Sequence, residues 1–234
     1  MCIRDRVLGA TCHGQEDPAL IEAWQVLAEL TPAGQLRDLA VFGGFTAGED
    51  GDAGVTLAFV APTADDSVFE MSVNLSTWGN DPVEDAFSMA HEFSHVFTAV
   101  PVELDPYADP ADCPNYDGGG VGCYAPDSIM AQWYDRFWAD TGYSPTADDA
   151  NDPDIGEQRC RETPGFFGDY AASNPEEDFA ESFAAYVMAW DAATPEQQDR
   201  LDWIDQFTGL QEFRERAAQF GYSPQENTLA VCGV

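Results

Sequence analysis

Lysine is missing from this sequence, so its nine basic residues are all arginines. Against them stand 43 acidic residues, which give a formal net charge of −34 at pH 7. Phosphate backbones bind to basic faces, so we expect no nucleic-acid partner. The charge is typical of an acidic, salt-adapted secreted protein that repulsion keeps soluble. A field that attracts cationic substrates is the alternative interpretation.

The sequence also lacks a long apolar run, so it predicts no transmembrane segment. No pattern of a charged, an apolar and a small-residue region opens the chain, as it would in a signal peptide. The first residues, MCIRDR, differ in texture from the rest of the chain. We therefore expect residues 1–14 to be a doubtful or disordered segment, with the true start and any export signal missing. Residues 15–234 are expected to form a single domain.

The six cysteines include no CxxC pair, which argues against a zinc site built from cysteines. Disulfides fit the spacing better. Cys113 and Cys123 flank a glycine-rich stretch, NYDGGGVG, and Cys160 and Cys232 could tie the central region to the C-terminus. Disulfides form in oxidising compartments, so these pairs would place the protein outside the cytoplasm, secreted or in the cell envelope.

Short apolar segments dominate the first third of the chain, after a first helix predicted over Ala19–Leu30. Clusters of Gly, Asp and Pro separate these segments, as between strands. The predicted strands are Leu39–Phe45, Val55–Val60 and Val68–Ser76. The third alternates in polarity, which indicates a place at or near a sheet edge, where a substrate backbone could add as a further strand.

Helical patterns dominate the remainder. Asn80 or Asp81 followed by Pro82 is a helix start, and a further helix is predicted over Pro175–Trp190, followed by one or two closing helices. Between them, a disulfide-bearing insertion at about 101–165 contains one clear helix, Ser128–Asp140. The expected fold class is α+β, with a small mixed or antiparallel sheet packed on the helix after Pro82 and a mostly helical C-terminal half.

The helix after Pro82 contains the sequence MAHEFSH. His91 and His95 are four residues apart, so they share one face of a helix and could bind one metal ion. Zinc needs a third protein ligand, and no histidine follows His95. That ligand must be a carboxylate, unless His13 folds back to the site. The alternative is a core histidine bonded to the backbone.

A second helix offers such a carboxylate in the sequence NPEEDFAESFAAY. Glu177 and Glu181 share a face there, so the first could bind the metal and the second could hold a histidine ligand by its other nitrogen. A solvated acidic face is the alternative interpretation of these residues.

Together, HEFSH and YAASNPEEDFAESFAAYV resemble the gluzincin zinc metallopeptidases, particularly the anthrax lethal factor-like branch and bacterial zinc-binding metallopeptidases with an EDFAE-like motif. The resemblance implies a single zincin-like domain that hydrolyses peptide or protein substrates with one catalytic Zn²⁺. It implies these roles: zinc ligands His91, His95 and Glu177; general base Glu92; a neighbour that supports a ligand, Glu181; and a tyrosine that assists catalysis, Tyr170.

Other interpretations stay open at the level of sequence. Tyr170 could be an ordinary half-buried aromatic residue. The acids of Asp148–Glu157 could hold Ca²⁺, although they lack the spacing of an EF-hand and fit an acidic loop better. The whole protein could instead be a noncatalytic secreted binding module of zincin shape, or an acidic extracellular protein stabilised by calcium. A monomer is favoured.

Overall fold

The structure is a computed structural model that describes residues 1–4, 7–9, 11, 14, 17–46, 56–64, 67–226 and 232. The helices are α1 (Pro18–Leu30), α2 (Pro82–Thr98), α3 (Ile129–Phe137), α4 (Pro153–Glu162), α5 (Pro175–Val187), α6 (Pro195–Ile204) and α7 (Thr208–Phe220). The strands are β1 (Ile3–Arg4), β2 (Val7–Leu8), β3 (Leu39–Phe45), β4 (Ala58–Pro62), β5 (Phe69–Asn74), β6 (Leu104–Asp105) and β7 (Cys123–Tyr124). Strands that precede most of the helices confirm the predicted α+β class.

The largest sheet has the strand order β3-β5-β4, with β5 parallel to β3 and antiparallel to β4. The predicted edge position of Val68–Ser76 is therefore wrong, because β5 is the central strand and both of its edges are paired. Its alternation arises because Phe69, Met71 and Val73 point into the core from one face of the sheet. A strand bonded on both sides also has no edge left for a substrate backbone. Val55, at the start of another predicted strand, lies outside the described residues.

Five helices begin with proline directly after a polar residue that caps them: α1, α2, α4, α5 and α6. The capping oxygen accepts a backbone N–H of the first turn, and proline has no N–H to leave unpaired. Asp81 caps α2, as one of the two predicted positions. The helix α4 has the same signature, with the cap Asp152 before Pro153, although the acids and turn residues of this stretch favour a loop by composition.

An aromatic cluster holds the two site helices together. The ring of Phe97 on α2 lies 6.1 Å from that of Phe179 and 5.2 Å from that of Phe183, both on α5. Phe213 on α7 completes the cluster, with its ring centroid 5.9 Å from that of Phe97. Aromatic pairs at these distances contribute about 0.5–1.5 kcal/mol each beyond the area they bury. Packing of α2 against α5 brings the histidines of one helix beside the acids of the other.

Two disulfides, Cys113–Cys123 and Cys160–Cys232, confirm the predicted pairs. The first closes the glycine-rich loop, and the second ties α4 to the C-terminal segment. Because such bonds persist in oxidising compartments, they indicate an extracytoplasmic environment. Within the described part of the chain, no helix combines the length and the apolar character needed to cross a membrane.

Part of the N-terminal segment is described. The short strands β1 and β2 pair with each other, and the backbone of Cys2 forms an isolated antiparallel β-bridge with Val41 of β3. The expectation that residues 1–14 do not belong to the domain, and the domain bounds 15–234, stay predictions.

Candidate metal centre

The helix α2 places two imidazoles one turn apart on its inner face. His91 is buried and His95 is half-buried. The two Nε2 atoms are 3.3 Å apart, and the rings meet edge to face at an interplanar angle of 73°. Both nitrogens therefore face one point beside the helix.

The helix α5 brings a carboxylate to the same point. Asn174 caps α5, and its side-chain oxygen accepts the backbone N–H of Glu177 at 2.9 Å. The Oε2 atom of Glu177 then lies 3.1 Å from Nε2 of His91 and 3.5 Å from Nε2 of His95. Among the described residues, this is the group of three or more side chains that could hold a metal ion.

The three donor atoms have the spacing that a tetrahedral zinc ion requires. Zn²⁺ binds nitrogen and oxygen at about 2.0–2.1 Å, which places neighbouring tetrahedral ligand atoms about 3.3 Å apart. The measured separations are 3.1, 3.3 and 3.5 Å. In addition, Oε2 of Glu177 is buried and faces the two imidazole nitrogens, so either their protons or a shared cation must satisfy this oxygen. Two imidazole nitrogens and one carboxylate fit zinc.

Glu181 lies one helical turn after Glu177 and supports the first histidine. Its Oε1 atom is 2.8 Å from Nδ1 of His91. A carboxylate beside Nδ1 favours the proton on that nitrogen and leaves the Nε2 lone pair for a metal.

The electrostatics of the cluster follow from burial and from this facing of acids and imidazoles. Burial alone lowers the pKa of His91, but Glu177 and Glu181 outweigh it and raise that pKa well above its usual value. For His95, Glu177 likewise outweighs burial and raises the pKa. Conversely, the two histidines lower the pKa of Glu177 despite its burial. The carboxylate is thus an anion directed at the two imidazoles.

Glu92 lies on α2 between the two histidines and is half-buried. Burial raises the pKa of Glu92, although the charges of His91 and His95 oppose the shift. A raised pKa makes a carboxylate a stronger base, which suits proton abstraction near neutral pH.

Tyr170 approaches the cluster from the turn before α5. Its ring centroid lies 5.9 Å from that of His91, and 45% of the residue is exposed. Burial and the charges of three carboxylates raise the pKa of Tyr170, so the phenol keeps its proton at neutral pH and can donate a hydrogen bond. Those carboxylates belong to Glu177, Glu92 and Glu181.

Two acids flank Glu177 in the sequence, and the structure directs each of them elsewhere. On one side, Glu176 accepts a hydrogen bond at 2.7 Å from the hydroxyl of Tyr116, in the disulfide loop. Burial raises the pKa of Glu176 to about 7, although Tyr116 opposes the shift. This contact joins the insertion to the residue next to the candidate ligand.

Asp178 is fully buried on the other side. It pairs with Arg200 at 3.0 Å and accepts the indole N–H groups of Trp133 and Trp138 at 3.1 and 2.9 Å. Together, Glu176 and Asp178 fix the rotation of α5 so that the acid between them faces the histidines. Sequence reasoning missed both roles, because nothing in the letters EED distinguishes the three acids by their partners.

The acids of Asp148–Glu157 give no support to a calcium site. Asp149 accepts a hydrogen bond from the hydroxyl of Thr146 at 2.6 Å and pairs with Arg159 at 2.8 Å. Asp152 is occupied as the cap of α4. The other predicted ligand source, His13, lies outside the described residues.

Comparisons with known proteins add little to this site. No protein-family model matches the chain, and no curated protein matches it. Among solved structures, the chain is similar to one titled "a putative zinc-binding metallo-peptidase" from Bacteroides caccae, at 15% identity and a TM-score of 0.29. The match covers 86% of this chain and 66% of that chain. At that TM-score the likeness supports neither a fold nor a function, so the functional case rests on the site.

Proposed function

We propose that the protein is a zinc metallopeptidase of the gluzincin type, which hydrolyses peptide bonds in peptide or protein substrates. One observation carries the proposal: three donor atoms from α2 and α5 converge at separations of 3.1–3.5 Å, with Glu92 beside them. The spacing suits tetrahedral zinc, and three protein ligands leave the fourth position that catalytic zinc sites keep for water or substrate.

His91, His95 and Glu177 would hold the ion, and Glu181 would keep His91 in the tautomer that offers Nε2. When bound, Zn²⁺ supplies a Lewis acid that polarises a carbonyl group and makes water nucleophilic near neutral pH. The net charge of two neutral imidazoles, one carboxylate and the ion is positive. That positive charge offsets the negative charge of the surrounding carboxylates.

The chain's own acid and phenol would move and hold protons. Glu92 accepts a proton at its carboxylate from the water that attacks the peptide carbonyl, and later gives it to the departing amine. Its raised pKa, which burial causes, favours the first half of that cycle because it makes the carboxylate a stronger base. Tyr170 keeps its proton and donates a hydrogen bond to the oxygen that becomes negative in the transition state.

We also propose that the protein works after secretion or in the cell envelope. Two disulfides support an oxidising compartment. Thirty-four excess negative charges would keep such a protein soluble.

Zinc stoichiometry measured together with casein hydrolysis tests the proposal. We expect one zinc ion per chain, loss of hydrolysis on chelation, and recovery on zinc addition. Zinc without any hydrolysis would leave a zinc-binding module, and hydrolysis that survives complete chelation would remove the metal from the reaction.

The Glu92→Gln variant separates binding from chemistry. We expect it to retain zinc, because no metal donor changes, and to lose about 10²–10⁴-fold in kcat, the usual contribution of a positioned acid-base group. Glu84→Gln, at an exposed position of the same helix, is the matched control and should keep full activity. Unchanged kcat in Glu92→Gln would exclude Glu92 as the base.

A further inference from the structure

A turn at 168–173 precedes α5, and the helix α4 of the insertion lies against it. We propose that Arg159 on α4 is a positioning residue, which fixes this turn and thereby sets both Tyr170 and Glu177 at the metal centre. The inference rests on the proposed zinc function, but Arg159 itself lies in neither sequence motif.

One face of α4 meets the turn along its length. Gly156, Arg159 and Cys160 share that face, at the spacing of adjacent helical turns. A Cβ atom at Gly156 would lie 2.3 Å from the carbonyl oxygen of Asp169, so a side chain there would push the helix off the turn. Cys160 is bonded to Cys232, whose sulfur contacts the carbonyl oxygen of Gly168 at 3.4 Å.

Arg159 makes the central contact of this face. Its Nη1 atom donates to the carbonyl of Ser173 in a short hydrogen bond and reaches the carbonyl of Ala172 at 3.5 Å. Its Nη2 atom pairs with Asp149 at 2.8 Å. Only 12% of the side chain is exposed, and the guanidinium also lies 5.1 Å from the ring centre of Tyr143. A planar group with several donors in fixed directions suits this combined role, which a single ammonium cannot reproduce.

Two hydrogen bonds connect the Arg159–Ser173 contact to Tyr170 and Glu177 at the candidate metal centre. On one side, the N–H of Ser173 donates to the carbonyl of Tyr170 at 3.0 Å. On the other side, Ser173 directly precedes Asn174, whose side chain accepts the N–H of Glu177 at 2.9 Å. A guanidinium fixed on the carbonyl of Ser173 therefore holds the backbone midway between the phenol and the candidate ligand.

This geometry assigns a role to the insertion as a support. Its helix α4 holds the turn through Arg159, and its disulfide loop holds α5 through the Tyr116 hydroxyl on Glu176. Both contacts act on α5 or on the turn before it, which carry the acids of the centre and not its histidines.

The test compares Arg159→Met with Arg161→Met. Arg161 lies two residues further along α4, is 62% exposed and pairs with Glu157 one turn earlier, so it is a matched control. Zinc affinity is measured by competition with a chromophoric chelator, and coordination geometry by the visible absorption of the Co²⁺-loaded protein. Loss of outer contacts to a metal site typically costs 10–100-fold in affinity.

We expect Arg159→Met to bind zinc about 10–100-fold more weakly, with an altered Co²⁺ spectrum and a lower kcat at nearly constant KM. Arg161→Met should match the native protein in all three. Arg159→Lys keeps the ion pair with Asp149 and should give an intermediate zinc affinity, so it carries the test if Arg159→Met does not fold.

Folded Arg159 variants with native zinc affinity and a native Co²⁺ spectrum would overturn the inference, even if their melting temperatures fall, because the role would then be only structural. That result would leave the proposed function intact. A native protein that binds no zinc would overturn the proposed function, and the inference with it.

Discussion

The helix that carries His91 and His95 and the helix that carries Glu177 reach the same point by different means. In α2 both imidazoles belong to one regular helix, and a single helical period sets their separation. In α5 one acid out of three successive ones faces the centre, and contacts with distant segments select it. Those contacts come from Tyr116 for Glu176 and from Arg200 for Asp178.

The difference shows where each half of the centre is vulnerable. The relative position of the two histidines depends on the local helical structure of α2. The acid half depends on contacts from α6 and from the insertion, which includes α3, so changes far from the candidate metal centre should disturb it.

The largest expected effect is that of Glu177→Ala on zinc binding. Removal of one of three protein donors should lower zinc affinity by more than the 10–100-fold that loss of an outer contact costs. Glu176→Gln is the control, since the amide oxygen can still accept from Tyr116 and no donor to the metal changes. Metal content that is unchanged in Glu177→Ala but lowered in Glu176→Gln would show that the wrong acid has been assigned.

Asp178→Ala tests whether distant contacts hold the acid half. It leaves the Arg200 charge buried without a partner, which should lower the free energy of unfolding by about 3–5 kcal/mol in urea titrations. The surface pair of Arg136 and Asp199 is the matched comparison, and Asp199→Ala should cost at most about 1 kcal/mol. Equal small losses in both variants would contradict a structural role for the buried pair.

Tyr170→Phe removes only a hydroxyl at the edge of the site. Because the residue is 45% exposed, we expect stability to remain native while transition-state stabilisation falls by about 2.7–4 kcal/mol, measured through kcat. Tyr107→Phe, at another exposed tyrosine, should leave kcat unchanged. A native kcat in Tyr170→Phe would show that Tyr170 is an ordinary aromatic residue without a role in catalysis.

Glu181→Gln has the smallest expected effect and tests the contact that joins the two halves. The amide keeps the shape of the side chain but loses the charge beside Nδ1 of His91. Zinc affinity should fall about 10–100-fold, or about 1.4–2.7 kcal/mol, in chelator competition. An affinity equal to that of the native protein would show that His91 needs no support from α5.

Local signals in the sequence predicted the helix and the shared face of the two histidines. The sequence Asp81–Pro82 marked the start of α2, and the spacing in HEFSH placed both imidazoles on one face. The i to i+4 spacing also put Glu177 and Glu181 on one face of α5. That spacing and the resemblance made Glu177 the candidate ligand. Nothing local indicated the partners of Glu176 and Asp178, because three adjacent acids differ only in the tertiary partners that each one meets.

The edge position predicted for β5 was wrong and the helix α4 was not predicted, in both cases because a local pattern fits more than one structure. Alternating polarity in β5 reports that one face of the sheet is buried, which holds for central and edge strands alike. The helix α4 went unpredicted because its acid-rich composition resembles a loop. Its cap at Asp152 followed by Pro153 is the same start signal as in α2, and would have revealed it.

Zinc K-edge X-ray absorption on the zinc-loaded native protein shows directly whether two imidazoles and a carboxylate hold the ion. We expect a four-coordinate ion with two imidazole nitrogens and two oxygens at about 2.0–2.1 Å. A six-coordinate shell of oxygens without imidazole scattering would contradict it.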